Sequence, residues 1–347
     1  MSKSLNFVEK IINSDHPFLI AEVGINHNGD MSLAKEMVDA AAECGADCVK
    51  FQSFIADKYI SPLAGKAKYQ EQKEFASKSQ RDIIKACEIT LTETEELKSY
   101  SAKKNIYFLS TPFEVWSLRG LLSMNIDAIK ISSCNLTNTP FLEEAAESKI
   151  PALLSTGMGS IEEVINAVNV FKRNNSPLML FQCTSNYPSL PENANLRVIE
   201  AYKHLFGVPV GLSDHTTSNI TCIAAVALGA VAIEKYFTIS RDLPGIDQKA
   251  SMEPDELKCL IQEIRECRSS LGSAIKFRTL EEESTAVALR RSLVAAADLS
   301  SGTILEKDCV IAMRPGTGLA PNCLPSLIGK RLTRSVKAGT PISLDDF

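Results

Sequence analysis

The chain is poor in the residues that mark several functional classes. It has one tryptophan and four histidines in 347 residues, and aromatic residues make up only 6%. No two of its ten cysteines are spaced C-x-x-C, so the common zinc and dithiol signatures are missing. Scattered as they are, Cys44, Cys48, Cys87, Cys134, Cys183, Cys222, Cys259, Cys267, Cys309 and Cys323 read as reduced thiols of a cytoplasmic protein, mostly small core hydrophobes. Positive charge is not in excess either. Lys and Arg number 37 against 42 Asp and Glu, a formal charge of -5 without a basic tail, so nucleic acid is not an expected partner. The longest apolar run, Ala224–Ile233, falls short of the about 20 residues a membrane helix needs, and Met1–Pro17 lacks a secretion-signal pattern. The expectation is a soluble globular protein, large enough to bury its own core.

What is present is a regular alternation. Short β-rich runs fall at Phe18–Gly24, Cys48–Gln52, Ile106–Thr111, Ala128–Ser132, Ala152–Ser155, Leu178–Cys183, Val208–Leu212 and Val231–Phe237. Amphipathic stretches lie between them, among them Ser32–Cys44, Thr92–Lys104, Ile161–Arg173 and Pro254–Leu271, with apolar residues at three- and four-residue spacing. The strands are almost continuously apolar, as parallel strands covered on both faces are. Eight such units over roughly 250 residues suit a (β/α)8 barrel, with an open doubly wound sheet as the alternative. The polar, Lys-rich segment Ile55–Ser79 interrupts the pattern and reads as a solvated face or a loop over a site mouth. After about residue 275 the character changes. A charged run, Phe277–Ala288, reads as an exposed linker to a small all-β unit of about 60 residues. That unit holds a weak repeat, Leu299–Leu305 (LSSGTIL) echoing Val336–Ile342 (VKAGTPI).

The strand ends carry the chemistry. Glu22, Lys50 with Gln52, Thr111, Lys130 with Ser132 and Ser133, Ser155 with Thr156, Thr184, Ser213 with His215, and Tyr236 each close an apolar strand. In a barrel they converge on the C-terminal mouth, where such folds do chemistry. One buried lysine alone is as well explained by a structural ion pair; a polar group on every strand points to an enzyme. Lys50 and Lys130, with the hydroxyls of Thr111, Ser133, Ser155 and Ser213, suit a ligand bearing a phosphate and a carboxylate. The loop Ser155–Ser160 (STGMGS) before a helix is a candidate phosphate cradle, although most such turns hold no ligand. His215 suits a divalent cation or proton transfer. Glu22 with Asn26 and His27 forms a second polar cluster, suited to a general base or to surface capping.

The motifs AEVGINHNG from Ala21, VKFQ from Val49, LSTPF from Leu109, LSTGM from Leu154 and GLSDH from Gly211 resemble those of the sialic acid synthase family. MRPGTG from Met313 is similar to the family's C-terminal antifreeze-like (SAF) domain, and FQSF, IEKYFT and ASMEPDEL look closer to legionaminate-type members. The resemblance spans nearly the whole chain. It implies a TIM barrel over residues 1–275, a linker over 276–288 and a SAF domain over 289–347. It also implies condensation of phosphoenolpyruvate with an open-chain N-acetylated hexose, N-acetylmannosamine or 2,4-diacetamido-2,4,6-trideoxymannose, to a nine-carbon α-keto acid and phosphate.

The roles it implies are specific. Lys50, Thr111, Lys130, Ser133, Ser155 and Ser213 would hold phosphoenolpyruvate, with Glu22 as catalytic carboxylate and His215 as catalytic and metal-binding residue for Mn2+ or Mg2+. Gln52, Phe113, Asn135, Tyr187 and Asp247 would contact the sugar, and Arg314 would reach its acetamido end from the partner of a domain-swapped homodimer. Two positions depart from the family pattern. Tyr236 stands where the family has a second metal-binding histidine, and Asn135 where it has a sugar-binding glutamate. These motivate an alternative, a phosphoenolpyruvate-binding homologue without efficient turnover. A Schiff-base aldolase using Lys50 or Lys130 is a third reading.

Overall fold

The computed structural model describes residues 6–66, 77 and 79–347. The chain divides into two compact units, Met1–Gly272 and Ser273–Phe347. In the first, eight parallel strands alternate with helices: β1 Phe18–Gly24, β2 Cys48–Ser53, β3 Tyr107–Pro112, β4 Ile129–Ile131, β5 Ala152–Ser155, β6 Leu178–Cys183, β7 Val210–Asp214 and β8 Ala232–Tyr236. Their order is β3-β2-β1-β8-β7-β6-β5-β4. β1 is laddered to both β2 and β8, and β3 packs beside β4, so the sheet closes into a barrel and the open-sheet alternative falls. The seventh strand begins two residues later than its apolar run. Pro209 has no N–H to give a ladder, and only its carbonyl is used, accepting from the Leu180 amide at 3.0 Å.

The helices start where the sequence supplies caps. Asp30 accepts from the amides of Ser32 and Leu33 ahead of helix Met31–Cys44, and Gly45 ends it at φ +86°, a conformation costly for any residue with a Cβ. Thr90 and Ser160 form reciprocal caps with Glu93 and Glu163 ahead of helices Leu91–Lys103 and Ile161–Arg173.

Strand periodicity sorts the barrel residues into two sets. Leu19, Ala21, Val23, Val49 and Phe51 face the helices within the main apolar core. Phe18, Ile20, Cys48, Leu109, Ala128, Leu153, Met179, Phe181 and Ala232 form a second cluster inside the barrel. The short helix Phe7–Ile12 adds Phe7, Val8 and Ile11 to that cluster and plugs its lower end. Each buried Phe or Leu there contributes about 2–3 kcal/mol through burial. Two residues further along the strands, the same inward face carries Glu22, Lys50, Thr111, Lys130, Ser155, Cys183, Ser213 and Glu234, all buried. The barrel interior is therefore apolar below and ionic above.

The second unit pairs β9, Ser292–Ala295, antiparallel with β10, Val310–Met313. Its two repeat copies meet each other: Leu299 and Val336, the first residue of each, exchange both backbone hydrogen bonds at 2.8 Å. The glycine of each copy, Gly302 and Gly339, turns the chain at φ +87° and +80°. The charged run read as an exposed linker contains a helix, Leu280–Leu289. Thr279 and Glu282 cap it reciprocally, and Glu281–Glu283 favour its N-terminus through the helix dipole, although it buries no residue. Among the described residues no helix is long and apolar enough to cross a membrane.

Candidate active site

The strand ends of the first unit enclose a cavity of about 420 Å³. Glu22, Lys50, Gln52, Thr111, Phe113, Lys130, Ser133, Ser155, Tyr187, Ser213, His215, Tyr236 and Asp247 all line it, so the candidate residues of seven of the eight strands converge as expected. Its floor is a four-charge cluster. Lys50 Nζ lies 2.5 Å from Glu22 Oε2 and donates to Thr111 Oγ1 at 3.1 Å. Lys130 Nζ donates to Ser155 Oγ at 2.7 Å and to Glu234 Oε1 at 3.2 Å. Glu234 Oε1 also accepts from Ser213 Oγ at 2.9 Å and sits 3.8 Å from Lys50 Nζ, so one oxygen ties both ammonium groups together.

The environments push these groups in different directions. Burial opposes ionisation of Glu234, but Lys130 and then Lys50 outweigh it and hold the carboxyl down to about 2. Burial raises Glu22 and Lys50 pulls it back only in part, leaving it above the usual carboxylate range. Lys130 is lowered by burial, with Glu234 opposing. Lys50 ends raised because Glu22 and Glu234 outweigh its burial. Asp247 is pushed up to about 7 by burial and by repulsion from Glu22, with His215 opposing.

One glycine holds the loop after β5 against the site. A Cβ on Gly157 would lie 2.3 Å from Ser185 Oγ and 3.0 Å from Ser133 Oγ, and the Gly157 amide donates to Ser133 Oγ at 2.9 Å. The loop thereby sets the Ser133 hydroxyl that faces the cavity. Part of the lining is one apolar cluster: Ile25, Phe54, Tyr59, Ile60, Phe113 and Ile246. Of the segment read as a loop over the mouth, Tyr59, Ile60, Ser61 and Ala64 line the cavity, while residues 67–76 and 78 lie outside the described residues.

His215 is oriented by the end of the neighbouring strand, β6. Its Nδ1 lies 2.8 Å from the Thr184 carbonyl, which can only accept, so Nδ1 carries the proton and a neutral ring keeps a lone pair on Nε2. Tyr187 and Tyr236 pack on the ring at centroid distances of 4.2 and 5.6 Å. His215 Nε2 and the Asp247 carboxylate, which interact at the cavity, are a nitrogen and an oxygen donor of the kind Mg2+ or Mn2+ accepts. Among the described residues no three His, Cys, Asp or Glu side chains converge into a complete site, so the ion would take its remaining ligands from substrate and water.

Some expected residues stand elsewhere. Asn135 does not line the cavity; its Nδ2 donates to the Phe113 carbonyl at 3.3 Å and its Oδ1 accepts from Asn138 at 2.9 Å. Thr156 bonds the Phe181 carbonyl and Thr184 the Asn193 carbonyl, both away from the cavity. Arg314 belongs to the second unit. Glu234 and Cys183, both lining the cavity, escape sequence reading. Glu234 was detectable as a carboxylate two residues before the strand-closing Tyr236, on the same face; Cys183 carries no such signal.

Comparison with known proteins follows this geometry. Residues 37–276 match the NeuB family and residues 290–347 the SAF domain. The chain belongs to the NeuB family. It is 39% identical over 346 residues to an N,N'-diacetyllegionaminic acid synthase of Legionella pneumophila, covering 98% of this chain and 97% of that one. It is 33% identical to the human N-acetylneuraminate-9-phosphate synthase, covering 94% of this chain and 91% of that one. Among solved structures it is similar to an N-acetylneuraminic acid synthetase from Leptospira borgpetersenii crystallised with citrate, with a TM-score of 0.70 and 36% identity. That match covers 78% of this chain and 90% of that one. This NeuB-family chain is thus similar along almost its whole length to proteins named as synthases.

Proposed function

We propose that the chain is a nonulosonic acid synthase, a transferase that condenses phosphoenolpyruvate with an open-chain N-acetylated sugar to a nine-carbon α-keto acid and phosphate. The observation that carries this is the pair of buried ammonium groups joined through Glu234 Oε1 and ringed by hydroxyls at the mouth of a closed barrel. Lys50 and Lys130, with Thr111, Ser133, Ser155 and Ser213, bind the phosphate and carboxylate of phosphoenolpyruvate. Gln52, Phe113, Tyr187 and Asp247 receive the sugar, and Asn135 acts behind them by holding Phe113. The apolar part of the lining suits a sugar carrying acetamido and deoxy-methyl groups, which favours 2,4-diacetamido-2,4,6-trideoxymannose over N-acetylmannosamine.

In the reaction, C3 of phosphoenolpyruvate bonds to the aldehyde carbon, and the aldehyde oxygen takes a proton. Asp247, with its carboxyl near 7, is placed in the cavity to give that proton. Water adds at C2 and loses a proton to Glu22, whose raised proton affinity suits a base. The tetrahedral centre then collapses: the C2–O bond to phosphate breaks, C2 becomes the ketone, and the hydroxyl proton leaves with phosphate. A Mn2+ or Mg2+ ion held by His215 would supply Lewis-acid polarisation of the aldehyde. No arrangement at the site favours an inert homologue, because both ammonium groups, the hydroxyl ring and Glu22 are in place.

The test is incubation with phosphoenolpyruvate, Mn2+ and each of the two sugars, reading phosphate release and product mass. Absence of phosphate and of any α-keto acid with both sugars would refute the proposal. The working unit is proposed to be a cytoplasmic homodimer in which Arg314 of each copy serves the other's sugar pocket. Sedimentation showing a monomer that is fully active at dilution would exclude this arrangement.

A further inference from the structure

β7 and β8 are in register so that Ser213 pairs with Glu234, and Asp214 with Lys235. The first pair faces the cavity. The second faces the helix layer and takes no part in the ligand chemistry derived above. Lys235 is nonetheless among the largest wholly buried side chains of the chain. Its ammonium group has three protons, and three acceptors meet it: Asp214 Oδ2 at 2.6 Å, the Thr216 carbonyl at 2.5 Å and the Ser218 carbonyl at 3.5 Å. Asp214 is equally committed. Its Oδ1 accepts from the Thr216 amide at 3.1 Å, and its Oδ2 accepts from Thr216 Oγ1 at 3.0 Å, Thr221 Oγ1 at 2.9 Å and Cys222 Sγ at 3.3 Å.

These bonds hold the strap between β7 and the following helix, Ile220–Ala227, together with that helix's first turn. The strap has no regular secondary structure of its own, and Asn219 gives the helix no side-chain cap. Beyond this cluster, the Ser189 amide holds the His215 carbonyl at 2.9 Å, and Thr216 and Ser218 bond each other. The strap begins with His215, directly after Asp214 at the end of β7. A buried ion pair is a poor source of stability, since desolvation offsets its attraction, and apolar residues of similar volume commonly do as well.

We propose that Asp214 and Lys235 are positioning residues that fix the 215–218 strap and thereby aim His215 at the reacting groups. This rests on the synthase reading of the cavity. The loss of aim acts on turnover more than on binding, because Lys50, Lys130, Thr111 and Ser155 keep their places when the strap moves. A displacement near 1 Å at reacting groups costs on the order of 100-fold in rate.

The test compares Lys235→Met with the charge-balanced double variant Asp214→Asn, Lys235→Met. The single variant leaves a buried carboxylate unpaired and is expected to melt early. The double variant removes that penalty. Its melting temperature is expected within a few degrees of native, with kcat down about 30- to 100-fold and KM for phosphoenolpyruvate within about threefold. Hydrogen exchange of the segment 214–221 is expected to rise in the double variant while the barrel strands stay protected. Native kcat and native exchange in the double variant would overturn the proposal. A double variant that still melts early would make the pair a stability element and overturn it too. Exchange is read without substrate, so it stands even if the native chain shows no turnover, a result that would sink the synthase reading instead.

Discussion

Replacing Glu234 with Gln keeps the shape of the ionic floor and removes one charge. The native carboxyl is held at about 2 against an ordinary 4.5, and that gap is worth on the order of 3 kcal/mol to the folded state at neutral pH. Removing one partner from a buried pair costs about 3–5 kcal/mol by general experience, the same range. The cost has a ceiling, because burial already lowers Lys130, which can shed its proton once Glu234 no longer holds it. A lowered carboxylate stabilises the fold above its unfolded value, and that stability is lost as pH falls through the folded one. The gap between native and Glu234→Gln should therefore be full at pH 7 and narrow from about 4.5 down toward 2. Urea unfolding at a series of pH values measures it. Saturating phosphoenolpyruvate should recover part of the loss, since its phosphate gives Lys130 an anionic partner again. A variant within about 0.5 kcal/mol of native at pH 7, with no larger response to the ligand, would refute the tie between the two lysines.

Gly157→Ala places a methyl 3.0 Å from Ser133 Oγ and 2.3 Å from Ser185 Oγ, and should raise KM for phosphoenolpyruvate while kcat changes less, measured by phosphate release. Asp247→Asn should gain stability at pH 8 while losing turnover. A carboxyl raised from 3.8 to about 7 stabilises the fold below 3.8, and that stability is lost as pH rises through about 7, up to about 4 kcal/mol. Thermal melts at pH 5 and pH 8 would show it. Tyr236→His should bind Mn2+ more tightly than the native chain, read by paramagnetic resonance without turnover, because it adds a second imidazole beside His215. Phosphoenolpyruvate binding near pH 7 should take up protons, seen by calorimetry in buffers of different ionisation enthalpy.

The strands were legible because parallel strands buried on both faces need apolar runs, and β1, β5 and β6 have the bounds of those runs. Helix starts were legible to within a residue where the caps are local, as at Ser160 and Thr90. The second-unit helix Leu280–Leu289 was not, because it buries nothing and so shows no apolar stripe. Closure was not legible either, since it depends on the pairing of β1 with β8 across more than 200 residues of chain. Within the site, Lys50, Lys130 and the hydroxyls announced themselves as polar breaks in apolar strands. Glu234 and Lys235 are the same kind of break, side by side. Adjacent strand residues face opposite ways, so two adjacent charges in a buried strand require two separate partners, one inside the barrel and one behind it. The structure supplies Lys130 and Asp214 for those two needs.

The four inward charges also constrain what can enter. Lys50 and Lys130 are balanced by Glu22 and Glu234, so the floor is formally neutral before a ligand arrives. A phosphate monoester carries about -1.5 to -2 at pH 7, and phosphoenolpyruvate adds a carboxylate to that. Such a charge cannot be buried in a neutral cavity without compensation. The cavity has two ways to supply it. Glu22, already raised, and Asp247, near 7, can take protons as the anion approaches. The divalent cation proposed at His215 would supply the rest. Glu234, held near 2, cannot help, and it keeps its charge to bridge the two lysines while the ligand docks. The division of labour among the carboxylates thus follows from their partners: the one locked between ammonium groups is structural, and those at the edge of the cluster are free to move protons.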